Sequence, residues 1–331
     1  MEDIKISVIV PIHGVDKYLE ECLNSLLYQT FSKKYEVICV SDSPNDTSPS
    51  IIDSFVSLRP DIFVRLDVNN RNLSFTRNDG LKKARGEYVA FVDGDDFVDK
   101  NYLLNLYNRA EESRADVVCC NYFLYKNGKT SKFISSFLAP NKLISSKKAL
   151  KMLMNDIGIR SYAWLKLVKR SFLINNKIEF IDNKKVIEDF VFSYMIFAKA
   201  NKIMCINDRL YFYRQREESI TGSGATFSFV QSFLSGYAIA KLYSYANNIK
   251  FKLPIFIKLY FLWYMYLTTK KGNNELDKKV VFHQIFKQFW LIANEVVYQN
   301  TPWEDVAKIA LNNMEISESI RVTKTEIFNI K

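Results

Sequence analysis

Apolar and polar positions in the first hundred residues alternate between two periods. Ile6 to Ile12, Tyr35 to Val40 and Tyr88 to Val92 are near-continuous apolar, β-branched runs of strand length. Runs of this kind, separated by helix-length segments, mark strands buried on both faces of a parallel sheet. Between the first two, Lys17 to Tyr28 sets Leu19, Cys22, Leu23, Leu26 and Leu27 at helical spacing, giving one face that can cover the sheet. A helix through Ile51 to Leu58, a strand near Ile62 to Leu66 and a helix from Ser74 to Ala84 continue the alternation, which predicts an α/β fold, Rossmann-like, with a mostly parallel sheet flanked by helices. Pro11 closes the first strand, and the turn-rich Ser41-Asp42-Ser43-Pro44-Asn45-Asp46 follows the second. Asp42 and Asp93 thus both stand just past the carboxyl ends of parallel strands, where open α/β sheets bind ligands and one crevice can contain both.

Further along, the pattern predicts a helix over Phe97 to Glu112, a strand over Val117 to Tyr125 and a helix near Ser145 to Asn155. Ser161 to Leu173 and Ile187 to Lys199 read as helices, and Ile203 to Ile206 and Tyr211 to Tyr213 as extended. From about Ala225, long aliphatic and aromatic segments without alternation predict a helical C-terminal appendage, so the chain divides into residues 1–224 and 225–331.

Composition changes this picture little. With 331 residues, 48% hydrophobic and 25% charged, the chain has ordinary globular composition and can bury a sizeable core. The five cysteines, Cys22, Cys39, Cys119, Cys120 and Cys205, lie in apolar segments without metal-ligand spacing and read as reduced core residues, which points to the cytoplasm. Met1-Glu2-Asp3-Ile4-Lys5 runs into the first strand with no secretory leader. The longest uninterrupted apolar run, Leu259 to Leu267, is about half of what a spanning helix needs, so the expectation is a soluble or peripheral protein.

Charge adds one feature. The net charge is +10, and Ser219 to Asn274 has no acidic residue while holding Lys241, Lys250, Lys252, Lys258, Lys270 and Lys271 among many aromatics. That stretch suits a helical subdomain with an aromatic core and solvated lysines, and alternatively contact with the inner membrane face or a lipid-linked substrate. The lysines are dispersed and no nucleic-acid motif accompanies them, so nucleic acid is not an expected partner.

The candidate chemistry begins at Phe91-Val92-Asp93-Gly94-Asp95-Asp96, which sets three carboxylates in four residues directly after a strand. Clustered carboxylates repel one another and usually persist where a divalent cation sits between them and an anionic ligand such as a diphosphate. A solvated acidic turn, with Asp95 or Asp96 capping the following helix, accounts for the same residues. No Gly-x-Gly-x-x-Gly follows the first strand and no P-loop occurs, so phosphates would be held by metal and side chains.

An ordered set of segments carries a resemblance. It comprises Ser7-Val8-Ile9-Val10-Pro11, Tyr18 to Leu26, Gln29-Thr30-Phe31, Val40-Ser41-Asp42, Ser74-Phe75-Thr76-Arg77-Asn78-Asp79-Gly80-Leu81 and Ala84 to Asp96. Trp164-Leu165-Lys166-Leu167, Glu188-Asp189 and Tyr211-Phe212-Tyr213-Arg214 complete it. Over roughly residues 5–222 the chain resembles a glycosyltransferase of family 2 with the GT-A fold.

The resemblance implies an inverting, metal-dependent enzyme that moves a sugar from a UDP-sugar to a glycan or lipid-linked acceptor in bacterial surface polysaccharide synthesis. It implies that Pro11, Asp42, Arg77 and Arg214 serve the nucleotide, Asp42 accepting from the uracil ring and Arg77 lying near base and diphosphate. Asp93 and Asp95 would be the DXD pair, Asp93 toward the ribose and Asp95 on manganese or magnesium, with Asp96 assisting. Asp189 would be the general base and Glu188 its neighbour. Trp164 and Lys166 would lie on the acceptor or donor-sugar side, while Tyr213, Arg214 and Arg216 would approach the diphosphate from a flap. Residues 225–331 would shape the acceptor site, mediate self-association or rest on the membrane.

The chain departs from the family's usual pattern at Ser41, Ser43-Pro44, Asn72, Leu165 and His13-Gly14, the last in place of an aromatic-asparagine pair. None of these removes an essential carboxylate. A lone histidine such as His13 reads as structural. Two rival functions remain compatible with the sequence: a non-catalytic nucleotide-sugar or glycan-binding scaffold, and a nucleotidyltransferase, whose glycine-rich phosphate loop is not visible.

Overall fold

The computed structural model describes residues 3–132, 141–154, 158–181 and 188–216, together with residues 236, 239–240, 243–244 and 247–249. The chain forms two compact units, Met1–Val230 and Gln231–Lys331. The appendage expected from residue 225, with its basic aromatic stretch, lies almost wholly outside the described residues.

The first unit opens with β1 (Ile6–Ile12), α1 (Asp16–Leu27), β2 (Tyr35–Asp42), α2 (Ser48–Leu58), β3 (Phe63–Val68), α3 (Leu73–Lys83) and β4 (Tyr88–Phe91). It continues with β5 (Phe97–Val98), α4 (Tyr102–Ser113), β6 (Val117–Lys126), β7 (Lys129–Lys132), β8 (Leu143–Ile144) and α5 (Ser146–Met154). The last elements are β9 (Lys166–Lys169), α6 (Arg170–Asn175), α7 (Glu188–Lys199) and β10 (Ile203–Arg214).

Among the described residues these strands make one sheet in the order β3-β2-β1-β4-β9-β6-β10-β5, with β7 on β6 and β8 on β10. The first four strands are parallel, as their apolar runs predict, and every residue of β1, β2 and β4 is buried. The α3 helix lies close on this sheet because residue 80 is glycine: a Cβ there would come within 2.4 Å of Ile9 Cγ2. Asn72 caps it, accepting from the amides of Ser74 and Phe75.

Three expectations are corrected. Phe97 to Glu112 is not one helix, because Phe97 and Val98 form β5 against β10 and the helix starts at Tyr102. Phe97 stacks on Phe212 with centroids 4.6 Å apart, a tertiary contact that outweighs local helical preference, and neither Asp95 nor Asp96 caps the helix. Ser161 to Leu173 is not a helix either: a 3-10 turn at Ala163–Leu165 leads into β9, which runs antiparallel to both β4 and β6. Pro11 lies inside β1 rather than ending it. Since β4 pairs with β1 only as far as Ile9, the missing N–H falls where β1 has no partner on that side.

Candidate active site

The chain leaves β4 as a turn that crosses the end of β1, with the amide of Asp96 donating to the Asp93 carbonyl at 3.0 Å. Gly94 eases this approach, because a Cβ would stand only 3.2 Å from the Pro11 carbonyl and 3.0 Å from Val15 Cγ2. The end of β10 clasps the same turn. The Tyr211 hydroxyl donates to Asp96 Oδ2 at 2.8 Å and accepts from the Asp93 amide at 3.1 Å. The Arg214 amide donates to Asp96 Oδ1 at 2.7 Å, and Arg214 Nε to the Asp95 carbonyl at 2.8 Å.

These bonds sort the three aspartates. Asp96 is buried with both carboxylate oxygens engaged, so it anchors the turn, and burial with Asp95 and Asp93 beside it pushes its pKa well up. Asp93 and Asp95 keep 25% and 16% of their side chains accessible and are the two that can meet a ligand. Burial and Asp93 raise the pKa of Asp95, against the pull of Arg216, whose Nη2 stands 2.5 Å from Asp95 Oδ2.

Arg77, from the buried face of α3, is the centre of the site. Its guanidinium is 1% exposed and donates to Asp93 Oδ1 at 2.8 Å, Asp189 Oδ1 at 3.0 Å and Glu188 Oε1 at 3.2 Å. It also lies over the Phe180 ring, 5.2 Å from the centroid. Burial works against its charge, but the three carboxylates outweigh that effect and raise its pKa. The neighbouring Asn78 exchanges two hydrogen bonds with the backbone of Phe180, and Phe180 stacks on Phe192 of α7. The α3 helix therefore fixes both the acidic turn and the start of α7.

At that start, burial lifts both carboxyls. Asp189 is raised despite Arg77 and a hydrogen bond from the Ala163 amide, and Glu188, with Asp189 next to it, is pushed up to about 7. Two carboxylates perturbed by burial and by neighbouring acids, facing Asp93 across one guanidinium, are the kind of group that carries acid–base chemistry.

Asp42, the last residue of β2, is 3% exposed and accepts from Asn70, Arg71 and Asn72 amides and from the Ser43 and Thr76 hydroxyls. Burial opposes its charge, yet those donors hold the carboxyl below its ordinary value. Trp164 and Lys166, expected on the sugar side, are both buried. Trp164 packs between Tyr162 and Tyr211, at 4.7 and 4.2 Å between centroids. Lys166 Nζ donates to the carbonyls of Arg160, Ser161 and Tyr162, because a buried ammonium must find acceptors, and burial lowers its pKa. Arg214 lies over the rings of Tyr18 and Tyr125 and pairs with Glu21. Sequence reasoning missed Tyr211 as the bridge of the acidic turn and Asn78 as the anchor of Phe180. The only available signal is that both lie within the resembling segments.

For a metal, the donor set is sparse. Among the described residues no group of three or more His, Cys, Asp or Glu side chains could hold an ion. Asp93 and Asp95 nevertheless fit a hard divalent cation, which commonly takes one or two protein carboxylates and completes its shell with water and phosphate oxygens. The guanidinium on Asp95 shows that this oxygen accepts a cation.

An open, mostly parallel α/β sheet with carboxylates converging at its carboxyl edge is the architecture of the GT-A fold. Residues 7–172 match the family model Glycosyl transferase family 2, and the chain belongs to that family; it is a glycosyltransferase. The uncharacterized glycosyltransferase EpsJ of Bacillus subtilis is 31% identical over 218 residues, 65% of this chain and 62% of EpsJ. The cholesterol galactosyltransferase of Borreliella burgdorferi is 30% identical over 312 residues, 90% of this chain and 82% of its own length. The crystal structure of S. aureus TarS in complex with UDP-GlcNAc matches with a TM-score of 0.67 at 22% identity, covering 95% of this chain and 90% of that one, which establishes the fold. TarS is a poly(ribitol-phosphate) beta-N-acetylglucosaminyltransferase. Among the described residues no helix is long and apolar enough to cross a membrane.

Proposed function

We propose that this enzyme is a metal-dependent, inverting transferase that moves a sugar from a UDP-sugar to a hydroxyl of a glycan or lipid-linked acceptor in bacterial surface polysaccharide synthesis. The observation that carries the reading is the Arg77 guanidinium, which ties the acidic turn at β4 to the carboxylates opening α7. A donor group at the turn and a base at the helix then share one site. The TarS complex with UDP-GlcNAc supports a UDP-sugar as donor, and the activity of TarS supports a surface-glycan acceptor.

Asp189 acts as general base on the acceptor hydroxyl. Arg77 and the Ala163 amide orient its carboxylate, and burial raises its basicity toward working pH. Asp93 and Asp95 would hold a manganese or magnesium ion, which would supply neutralising charge for the diphosphate leaving group. One displacement with such a base, without a covalent intermediate, inverts the anomeric centre. Residues 1–224 form the catalytic domain, and residues 225–331 an accessory region contacting the acceptor, a second copy or the inner membrane face. The enzyme works in the cytoplasm.

Calorimetry with UDP plus manganese tests the assignment. Asp95→Ala should abolish metal-dependent UDP binding. Asp189→Asn should keep binding within about twofold while transfer falls by roughly 10²–10⁴-fold. Loss of UDP binding in Asp189→Asn would overturn these roles for Asp95 and Asp189.

A further inference from the structure

Lys166 opens β9 with its side chain wholly buried. Its Nζ donates to the carbonyls of Tyr162 at 2.7 Å, Arg160 at 3.1 Å and Ser161 at 3.2 Å, so one ammonium gathers three consecutive carbonyls. Those acceptors match its three protons, and the group points into protein rather than towards a ligand. Burying a cation is costly, and an apolar side chain of similar volume would fill the space without that cost. What Lys166 contributes lies in the turn that it holds.

That turn runs along one face of α7, where Asp189, Ser193 and Phe197 stand at i, i+4 and i+8. Ser193 Oγ donates to the Ser161 carbonyl, and the Ala163 amide donates to the Asp189 carboxylate. Lys166 Nζ lies over the Phe197 ring, 5.5 Å from its centroid. Residues 160–162 are thus pinned from β9 by an ammonium and from α7 by a hydroxyl. The next amide in the chain is the one that reaches Asp189.

We propose that Lys166 is a positioning residue for Asp189: it shapes the turn at residues 160–162 so that the Ala163 amide meets the carboxylate, and it adds a second cation beside Arg77. This rests on the reading of Asp189 as general base. A base acts only when unprotonated, and burial favours the protonated acid. The groups facing Asp189 are Arg77 from α3, Asp93 from the turn after β4, Lys166 from β9 and Glu188 beside it. Lys166 is faced in turn by Cys119 and Cys120 of β6, Cys205 of β10 and Asp189. Arg77, Lys166 and the Ala163 amide oppose the burial and Asp93, and so keep the carboxylate available.

Carboxyl carbon-13 resonances of the aspartate-labelled full chain, followed across pH, test this. The Asp189 signal is the one that disappears in Asp189→Asn. In Lys166→Met it should titrate roughly one pH unit higher than in the wild type, the effect of losing a nearby cation and the amide that it aims. Mere loosening of the core would admit water and move the same signal down, so a downward shift or none overturns the proposal. UDP with manganese should bind Lys166→Met within about twofold of the wild type by calorimetry, as for independent sites. A greater loss would put Lys166 on the donor side and overturn the proposal as well. If Lys166→Met does not fold, Ser193→Ala decides: releasing the Ser161 carbonyl should raise Asp189 by roughly a few tenths of a pH unit, and no rise overturns the assignment. The base reading stands apart from these results and fails if Asp189→Asn transfers at the wild-type rate.

Discussion

The two flanks of the sheet satisfy their buried charges in different ways. In the parallel flank, β3-β2-β1-β4, each buried acid is surrounded by its own donors. Asp42 accepts from three backbone amides and the Thr76 hydroxyl, and Glu36 accepts from Ser7 Oγ, the Arg85 amide and Arg85 Nε and Nη2 at 2.5–2.9 Å. Where α3 meets α7, three acids from two distant segments share the single guanidinium of Arg77, and Glu188 and Asp189 are left with raised pKa values. The first flank is preorganised to hold a ligand. The meeting of α3 and α7 keeps its acids under-compensated, which costs stability and raises the proton affinity of Glu188 and Asp189.

Removing the shared cation should break this contrast most severely. Arg77→Ala would leave Asp93, Glu188 and Asp189 facing one another and should lower unfolding free energy by roughly 3–5 kcal/mol in urea titrations. Arg77→Lys, with its charge but without the fork, should recover only part of that loss. A loss below about 1 kcal/mol in Arg77→Ala would remove the guanidinium from the centre of the site.

A smaller effect should appear with pH. Glu188 moves from an ordinary 4.5 to about 7 on folding, so between those values the native chain binds a proton that the unfolded chain releases. Its contribution to stability is therefore full below pH 4.5, declines as pH rises and is lost above about 7. Glu188→Gln should flatten that slope in denaturation midpoints measured across the window.

The smallest effect concerns Arg216. Its removal frees Asp95 Oδ2, so manganese alone should bind Arg216→Ala about two- to fivefold more tightly by electron paramagnetic resonance, the strength of a partly exposed ion pair. Unchanged or weaker manganese binding would mean that Arg216 does not compete for that oxygen.

The sequence pattern serves the same two flanks unequally. Strands β1, β2 and β4 are legible because burial on both faces writes them as apolar runs. Strand β9 has four residues and β5 only two, and each becomes a strand only by pairing with segments far away in the chain, which local periodicity does not encode. The acidic run, Asp42, Glu188 and Asp189 are legible through resemblance. Their partners are not, since nothing near Arg77 in sequence announces that it joins Asp93 to Glu188 and Asp189. Lys166 shows the same limit: the resemblance sets it on the acceptor or donor-sugar side, and only the folded turn reveals the three carbonyls that its ammonium meets.

The clasp made by β10 bears on how the enzyme is dissected. The region matched by the family stops at residue 172, ahead of α7 and β10. A fragment trimmed there would retain every aspartate of the turn after β4 yet forfeit Tyr211 and Arg214, which hold it shut, and the helix that brings Asp189. It would also bare the long edge of β6, an invitation to stick to its neighbours. The recognisable signature and the folded unit that holds the acidic turn therefore have different borders, and the latter reaches at least to Arg214.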